Sequence, residues 1–146
     1  AQGCVPSPPA ACRIPHMNVR RYHGICDASA AARIGRSSFF AAASDEDCAV
    51  HVFDLASGGD AVSRLDLTEY LQPGDDEPEA DIEGAAYVGG RIYWVGSHGL
   101  DKQGRERRIR QRLFATAVSG DGGAVRLEPV GTPFSGLKEA LVTAKD

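Results

Sequence analysis

The sequence predicts an all-β fold built from two units of four short antiparallel strands, and three observations carry that reading. First, the chain repeats itself at a separation of 54 residues (81 minus 27). Asp27-Ala-Ser29-Ala-Ala-Ala-Arg-Ile34-Gly35 matches Asp81-Ile-Glu83-Gly-Ala-Ala-Tyr-Val88-Gly89 in the Asp, two alanines, the β-branched residue and the Gly. Second, three further strand-like runs follow each start in the same order. With one extra residue in the first turn, residues 39–44 fall on 92–97, then 50–55 on 111–116, then 61–66 on 124–128. Third, Gly- and Asp-rich segments such as Ser57-Gly58-Gly59-Asp60 and residues 119–123 stand where tight turns are needed. Four antiparallel strands per repeat of about 40–60 residues is the pattern of a β-propeller blade. A single eight-stranded sandwich is the alternative. Propellers typically have about four or more blades, so the prediction is an incomplete ring: a fragment, or one chain of a larger propeller.

Size and composition bound the rest. A chain of 146 residues, 42% hydrophobic and 25% charged, can bury one ordinary core. No apolar run approaches the roughly 18 residues of a membrane span. A net charge of -4 argues against a general nucleic-acid binder.

In chain order, residues 1–20 carry Pro6, Pro8, Pro9 and Pro15, a density that favours an extended arm. Residues 21–67 form the first blade. Residues 68–80 are an acidic connection with Glu69, Asp75, Asp76, Glu77 and Glu79, in which Pro73 and Pro78 oppose helix. Residues 81–130 are the second blade. It opens on a hairpin of residues 85–88 and 91–96 across Gly89-Gly90, a dipeptide suited to the positive φ angles of such turns. A basic insertion, Lys102, Arg105, Arg107, Arg108, Arg110 and Arg112 against Glu106, separates its second and third strands. Residues 131–146 lead into a missing blade.

Cys4, Cys12, Cys26 and Cys48 all lie in the first third. An even count in a chain opening Ala1-Gln2-Gly3-Cys4, without an initiator Met, predicts a processed, exported protein, periplasmic or secreted. Four reduced thiols are the alternative. Cys26 starts the first strand of its blade and Cys48 follows the second, ends that adjoin in an antiparallel pair. The expected disulfides are therefore Cys26 to Cys48 and Cys4 to Cys12.

Antiparallel pairing brings Asp81 and Glu83, at the start of the second blade's first strand, to Ser97 and His98 at the end of its second. Carboxylates at such a mouth suit calcium, a hard ion that takes about six to eight oxygens, so Asp81 and Glu83 are candidate metal ligands. Glu83 and His98 are candidate catalytic groups. Glu83 is the stronger, because Gly84 beside it admits a ligand or another backbone. Adjacent strand residues point to opposite faces, so Ser97 and His98 are not a nucleophile–base pair. Arg108 and Arg110 are candidate holders of a phosphate or carboxylate. The same run can instead pair with the acidic connection.

The Asp81-Ile-Glu83-Gly-Ala-Ala block, the Tyr93-Trp-Val-Gly-Ser-His-Gly99 block and the arginine run ending in Leu113-Phe-Ala resemble a bacterial family, number 3616 of the domains of unknown function. Residues 24–30 and Ser44-Asp45-Glu46-Asp47 resemble its opening blade. The likeness spans about residues 20–145. More distantly, the chain is similar to the esterase-like domain of phytases. The resemblance implies an exported propeller with a further Glu-Gly-bearing blade downstream, supplied by the same precursor or a partner chain. Two functions fit these residues. One is a metal-dependent hydrolase of phosphate or carboxylic esters, with Asp81, Glu83 and His98 at the mouth. The other is a non-catalytic exported scaffold stabilised by calcium. Neither calls for an organic cofactor.

Overall fold

The computed structural model of the chain describes residues 18–74, 79–120 and 124–144. Its strands are β1 (Tyr22–His23), β2 (Ala28–Arg33), β3 (Phe39–Ser44), β4 (Ala49–Asp54), β5 (Gly59–Asp60), β6 (Ser63–Asp66), β7 (Ile82–Val88), β8 (Arg91–Gly96), β9 (Leu113–Ser119) and β10 (Arg126–Phe134). A short helix α1 (Thr68–Leu71) follows β6, a 3-10 turn (Arg108–Gln111) precedes β9, and α2 (Leu137–Thr143) follows β10. The fold is all-β. Strands β2-β3-β4-β6 and β7-β8-β9-β10 form two four-stranded antiparallel meanders, and β1 pairs with β5 in a small parallel ladder.

The repeat is visible in backbone detail. Asp27 and Asp81 both take left-handed conformations, φ 42° and φ 50°, which short polar side chains tolerate better than most. Immediately after each, the ladder bulges. Pairing jumps from Ala28↔Ser44 to Ala30↔Ala43, and from Ile82↔Gly96 to Gly84↔Val95. Ser29 and Glu83 are the extra residues. The Gly89-Gly90 turn has the expected positive φ at both positions, 56° and 82°.

Beyond the first strands, the register differs from the sequence alignment. The first hairpin closes through residues 35–38, two residues more than Gly89-Gly90 rather than one. The pairings therefore superpose Ala42 on Trp94 and His51 on Phe114. The offset from the alignment is one residue in the second strand and two in the third. The two phenylalanines aligned by sequence, Phe53 and Phe114, thus lie at non-equivalent positions.

The core sits between the two sheets. Ala30, Ala32, Ala41, Ala43, Val50 and Val52 of the first face Ile82, Ile92, Trp94, Phe114 and Leu127 of the second in one buried cluster. Small residues on one side make room for aromatics on the other. The Trp94 indole N–H donates to Thr116 Oγ1 at 3.1 Å, which satisfies both buried polar groups. Leu67, at the end of the first unit, and Leu71 and Ala80, from the connection, close the same core. On the far side of the first sheet Tyr22 packs edge-on against Phe40 and Phe53, at 5.0 and 5.4 Å. On the far side of the second, Val88 is 60% and Tyr93 39% exposed.

The expected Cys26–Cys48 disulfide is not formed; both residues remain thiols. Cys48 is turned into the core between the sheets, whereas Cys26 is exposed ahead of the left-handed Asp27. Burial pushes the Cys48 thiol pKa up, against a backbone hydrogen bond from Ala80. Cys4 and Cys12 lie outside the described residues. No helix among the described residues is long and apolar enough to cross a membrane.

Candidate cation site

Three carboxylates meet where the two sheets adjoin. Ligand oxygens of Asp45, Asp81 and Glu83 all lie within 4.8 Å of one another. Asp45 follows the last residue of β3, Asp81 precedes β7, and Glu83 is the bulged residue of β7. Strands β2 and β7 run side by side here: the Ser29 hydroxyl donates to the Ile82 carbonyl. The end of β3 in one sheet is thereby brought to the start of β7 in the other.

Asp81 and Glu83 meet through a left-handed turn and a bulge and not through regular strand alternation. Residues two apart on a regular strand share a face, but Asp81 lies ahead of the strand and Glu83 is the extra residue in it. Asp81 is fixed through Oδ2, which accepts from Ser97 Oγ at 2.5 Å and pairs with Arg110 at 2.9 Å. Its carbonyl accepts from the Ser97 N–H at 2.9 Å. Asp45 Oδ1 is buried and has no hydrogen-bond partner among the described residues. Glu83 is exposed. The group thus presents hard oxygen donors from three side chains, one of them buried without a donor of its own, and one flank open to solvent. Such a donor set fits calcium.

The predicted residues come together in part. Asp81, Glu83 and Ser97 are neighbours as the hairpin required. His98 is outside the three-carboxylate group: its Nδ1 lies 3.0 Å from the Gly96 carbonyl, and its Nε2 is buried without a partner among the described residues. Nδ1 must carry a proton to bond a carbonyl. Ser97 gives its hydroxyl to Asp81, so no Ser–His pair forms.

The basic insertion is largely self-satisfied. Asp101 accepts from Arg105 at 2.9 Å and Arg107 at 2.8 Å. Backbone and side-chain donors of Arg105, Gln103 and Arg107 hold its carboxyl far below the usual range. Arg110 pairs with Asp81 and, at 3.8 Å, with Glu79 of the acidic connection. Arg108, at the start of the 3-10 turn, is exposed. Gly96 lets this turn close on the strand end, since a Cβ there would come within 2.3 Å of the Arg110 carbonyl oxygen.

Asp45 is the ligand that sequence reading missed. The signal was present in the acidic stretch Ser44-Asp45-Glu46-Asp47 at the end of a predicted second strand. Its significance depends on which strand of the next unit lies alongside, and only the stacking of the two sheets shows that.

Two stacked four-stranded meanders with a carboxylate cluster between them define the class: a repeat-built all-β protein. Within it, residues 27–115, more than half of the chain, match the family described as Protein of unknown function (DUF3616). The chain belongs to that family. The match begins at the left-handed Asp27 and includes all three carboxylates. No curated protein and no solved structure matches the chain.

Proposed function

We propose that the chain supplies two adjacent blades of an exported β-propeller, held together at their inner edges by a calcium ion bound to Asp45, Asp81 and Glu83. The observation that carries this reading is the origin of the three carboxylates, one from the first sheet and two from the second. Arg110 offsets one of the three carboxylates; the charge that remains favours separating the sheets, and a divalent cation turns the same contact into a clamp. Water or other groups complete the coordination on the Glu83 side.

The ring is supported by the faces the sheets use. The first sheet meets the second through Ile34, Ala41, Ala43, Val50 and Val52. By the strand pairings, their equivalents are Val88, Tyr93, Val95, Leu113 and Ala115. These lie on the far face of the second sheet, where Val88 and Tyr93 are in water. The second unit therefore presents the surface by which the first holds its neighbour, the mark of a head-to-tail stack. The next blade, from the same precursor or a partner chain, is the fitting occupant. Export is supported by the even count of four cysteines.

A second reading, a hydrolase of phosphate or carboxylic esters, is favoured by the exposed carboxylate of Glu83 and the bare Nε2 of His98. Calorimetric titration of the chain with calcium chloride tests the site, with saturable one-ion binding in the parent and none in Glu83→Gln as the expected result. No binding in the parent overturns the proposal. Calcium-dependent turnover of p-nitrophenyl phosphate or acetate, lost in His98→Gln while calcium binding persists, selects the hydrolase; binding without turnover selects the scaffold.

A further inference from the structure

We infer a second ligand site, for the carboxylate of a small organic acid, at Arg112. Arg112 ends the basic run, yet it takes no part in that run's ion pairs. Its Nε is buried and has no hydrogen-bond partner among the described residues. By the strand pairings its counterpart in the first sheet is Ala49, which is fully buried. Blade architecture accepts a methyl group there, so the guanidinium answers some other need. With Nε closed off from solvent, the terminal nitrogens of this half-buried guanidinium are the donors left for a ligand.

The space for an acceptor is present. Arg112 lines a cleft of about 370 Å³ between α1 and β10, within the range of roughly 300–1,000 Å³ usual for small-molecule sites. One wall exists because β10 is irregular: between Val130↔Ala115 and Phe134↔Leu113 it carries three residues against one. The bulged Gly131-Thr132-Pro133 turns outward and forms that wall. Tyr70 props it open by donating its hydroxyl to the Val130 carbonyl at 2.9 Å. Leu71 and Pro133 offer apolar contact to a ligand's body, and Thr132 a hydroxyl.

The guanidinium fork matches the two oxygens of a carboxylate. The same fork also binds phosphate, but Glu69 lines the cleft and opposes a doubly charged anion more than a singly charged one. The site thus takes a monocarboxylate with a short apolar body. It shares no residue with the cation site and does not depend on it.

Thermal unfolding in sodium butyrate, sodium phosphate and sodium chloride at equal ionic strength tests the inference. Butyrate should raise the midpoint saturably, phosphate less, chloride not at all. Arg112→Lys should weaken the butyrate effect about tenfold and Arg112→Met abolish it, while unliganded Arg112→Met unfolds no lower than the parent. Glu69→Gln should bring phosphate level with butyrate. Indistinguishable butyrate and chloride curves in the parent overturn the site, as does an undiminished butyrate effect in Arg112→Lys. A phosphate effect exceeding that of butyrate overturns the carboxylate assignment.

Discussion

Ser29 and Glu83 occupy the same bulge in two successive sheets, and they use it differently. Ser29 donates its hydroxyl across to the Ile82 carbonyl and helps join the sheets. Glu83 projects a carboxylate toward Asp45 and Asp81. Since a serine satisfies the bulge, the acid at residue 83 is not a demand of the fold. Glu83→Gln should change stability by no more than about 0.5 kcal/mol without calcium, as expected of an exposed position. Urea unfolding in a chelator checks this; a loss of several kcal/mol would show Glu83 to be structural.

Gly96 is a matter of space. An added Cβ would sit 2.3 Å from the Arg110 carbonyl oxygen and 3.4 Å from that of Ala80. Both are backbone atoms, so neither can swing away. Gly96→Ala should cost about 1–3 kcal/mol, the usual penalty for overpacking, read from the urea midpoint.

Thr116 is fully buried and accepts the Trp94 indole N–H. Thr116→Val keeps the shape and removes the acceptor. An orphaned buried N–H costs about 1–3 kcal/mol. Equilibrium unfolding followed by the fluorescence of Trp94 reports the loss, and an unchanged midpoint would mean the bond contributes nothing.

His51 makes stability pH-dependent. The residue is 5% exposed, its ring stacks on Phe53, and Nε2 has no partner among the described residues. Burial lowers its pKa from 6.5, with Asp47 opposing the shift and Arg64 adding to it. Between the lowered folded value and the unfolded value, the unfolded chain binds more protons. Stability is therefore complete above about pH 6.5, declines as pH falls through that window, and levels off below the folded value. His51→Leu should flatten the slope of unfolding free energy against pH between 7 and 5. An equal slope in both proteins would assign it elsewhere.

Much of this architecture was legible in the chain. Asp27 and Asp81, 54 residues apart, marked the repeat, and Gly89-Gly90 marked the hairpin, because left-handed backbone restricts residue choice. Register was less legible. Phe53 and Phe114 invite alignment as identical residues, yet a four-residue turn in one unit and a two-residue turn in the other displace them. Cys26 and Cys48 looked like neighbours from strand ends alone; side-chain direction, which burial decides, separates them. Asp45 belongs to a site assembled between units, and stacking leaves no local pattern in sequence.

The exposed face of the second sheet predicts association. Val88 and Tyr93 stand in water where their counterparts Ile34 and Ala41 are buried. Sedimentation of the isolated chain should show concentration-dependent association, reduced by Val88→Lys with Tyr93→Lys. A monomer at every concentration would remove the need for a further blade.

The most direct measurement is urea unfolding of the parent and of Asp45→Asn, each with excess calcium and with chelator. Asp45 comes from the first sheet and its partners from the second, so a shared ion must stabilise the pair and must need Asp45. At a calcium concentration about 100 times the dissociation constant, linkage predicts about 2.7 kcal/mol of added stability in the parent and close to none in Asp45→Asn. Equal stability of the parent with and without calcium, or the same calcium gain in Asp45→Asn, would contradict an ion held between the two sheets.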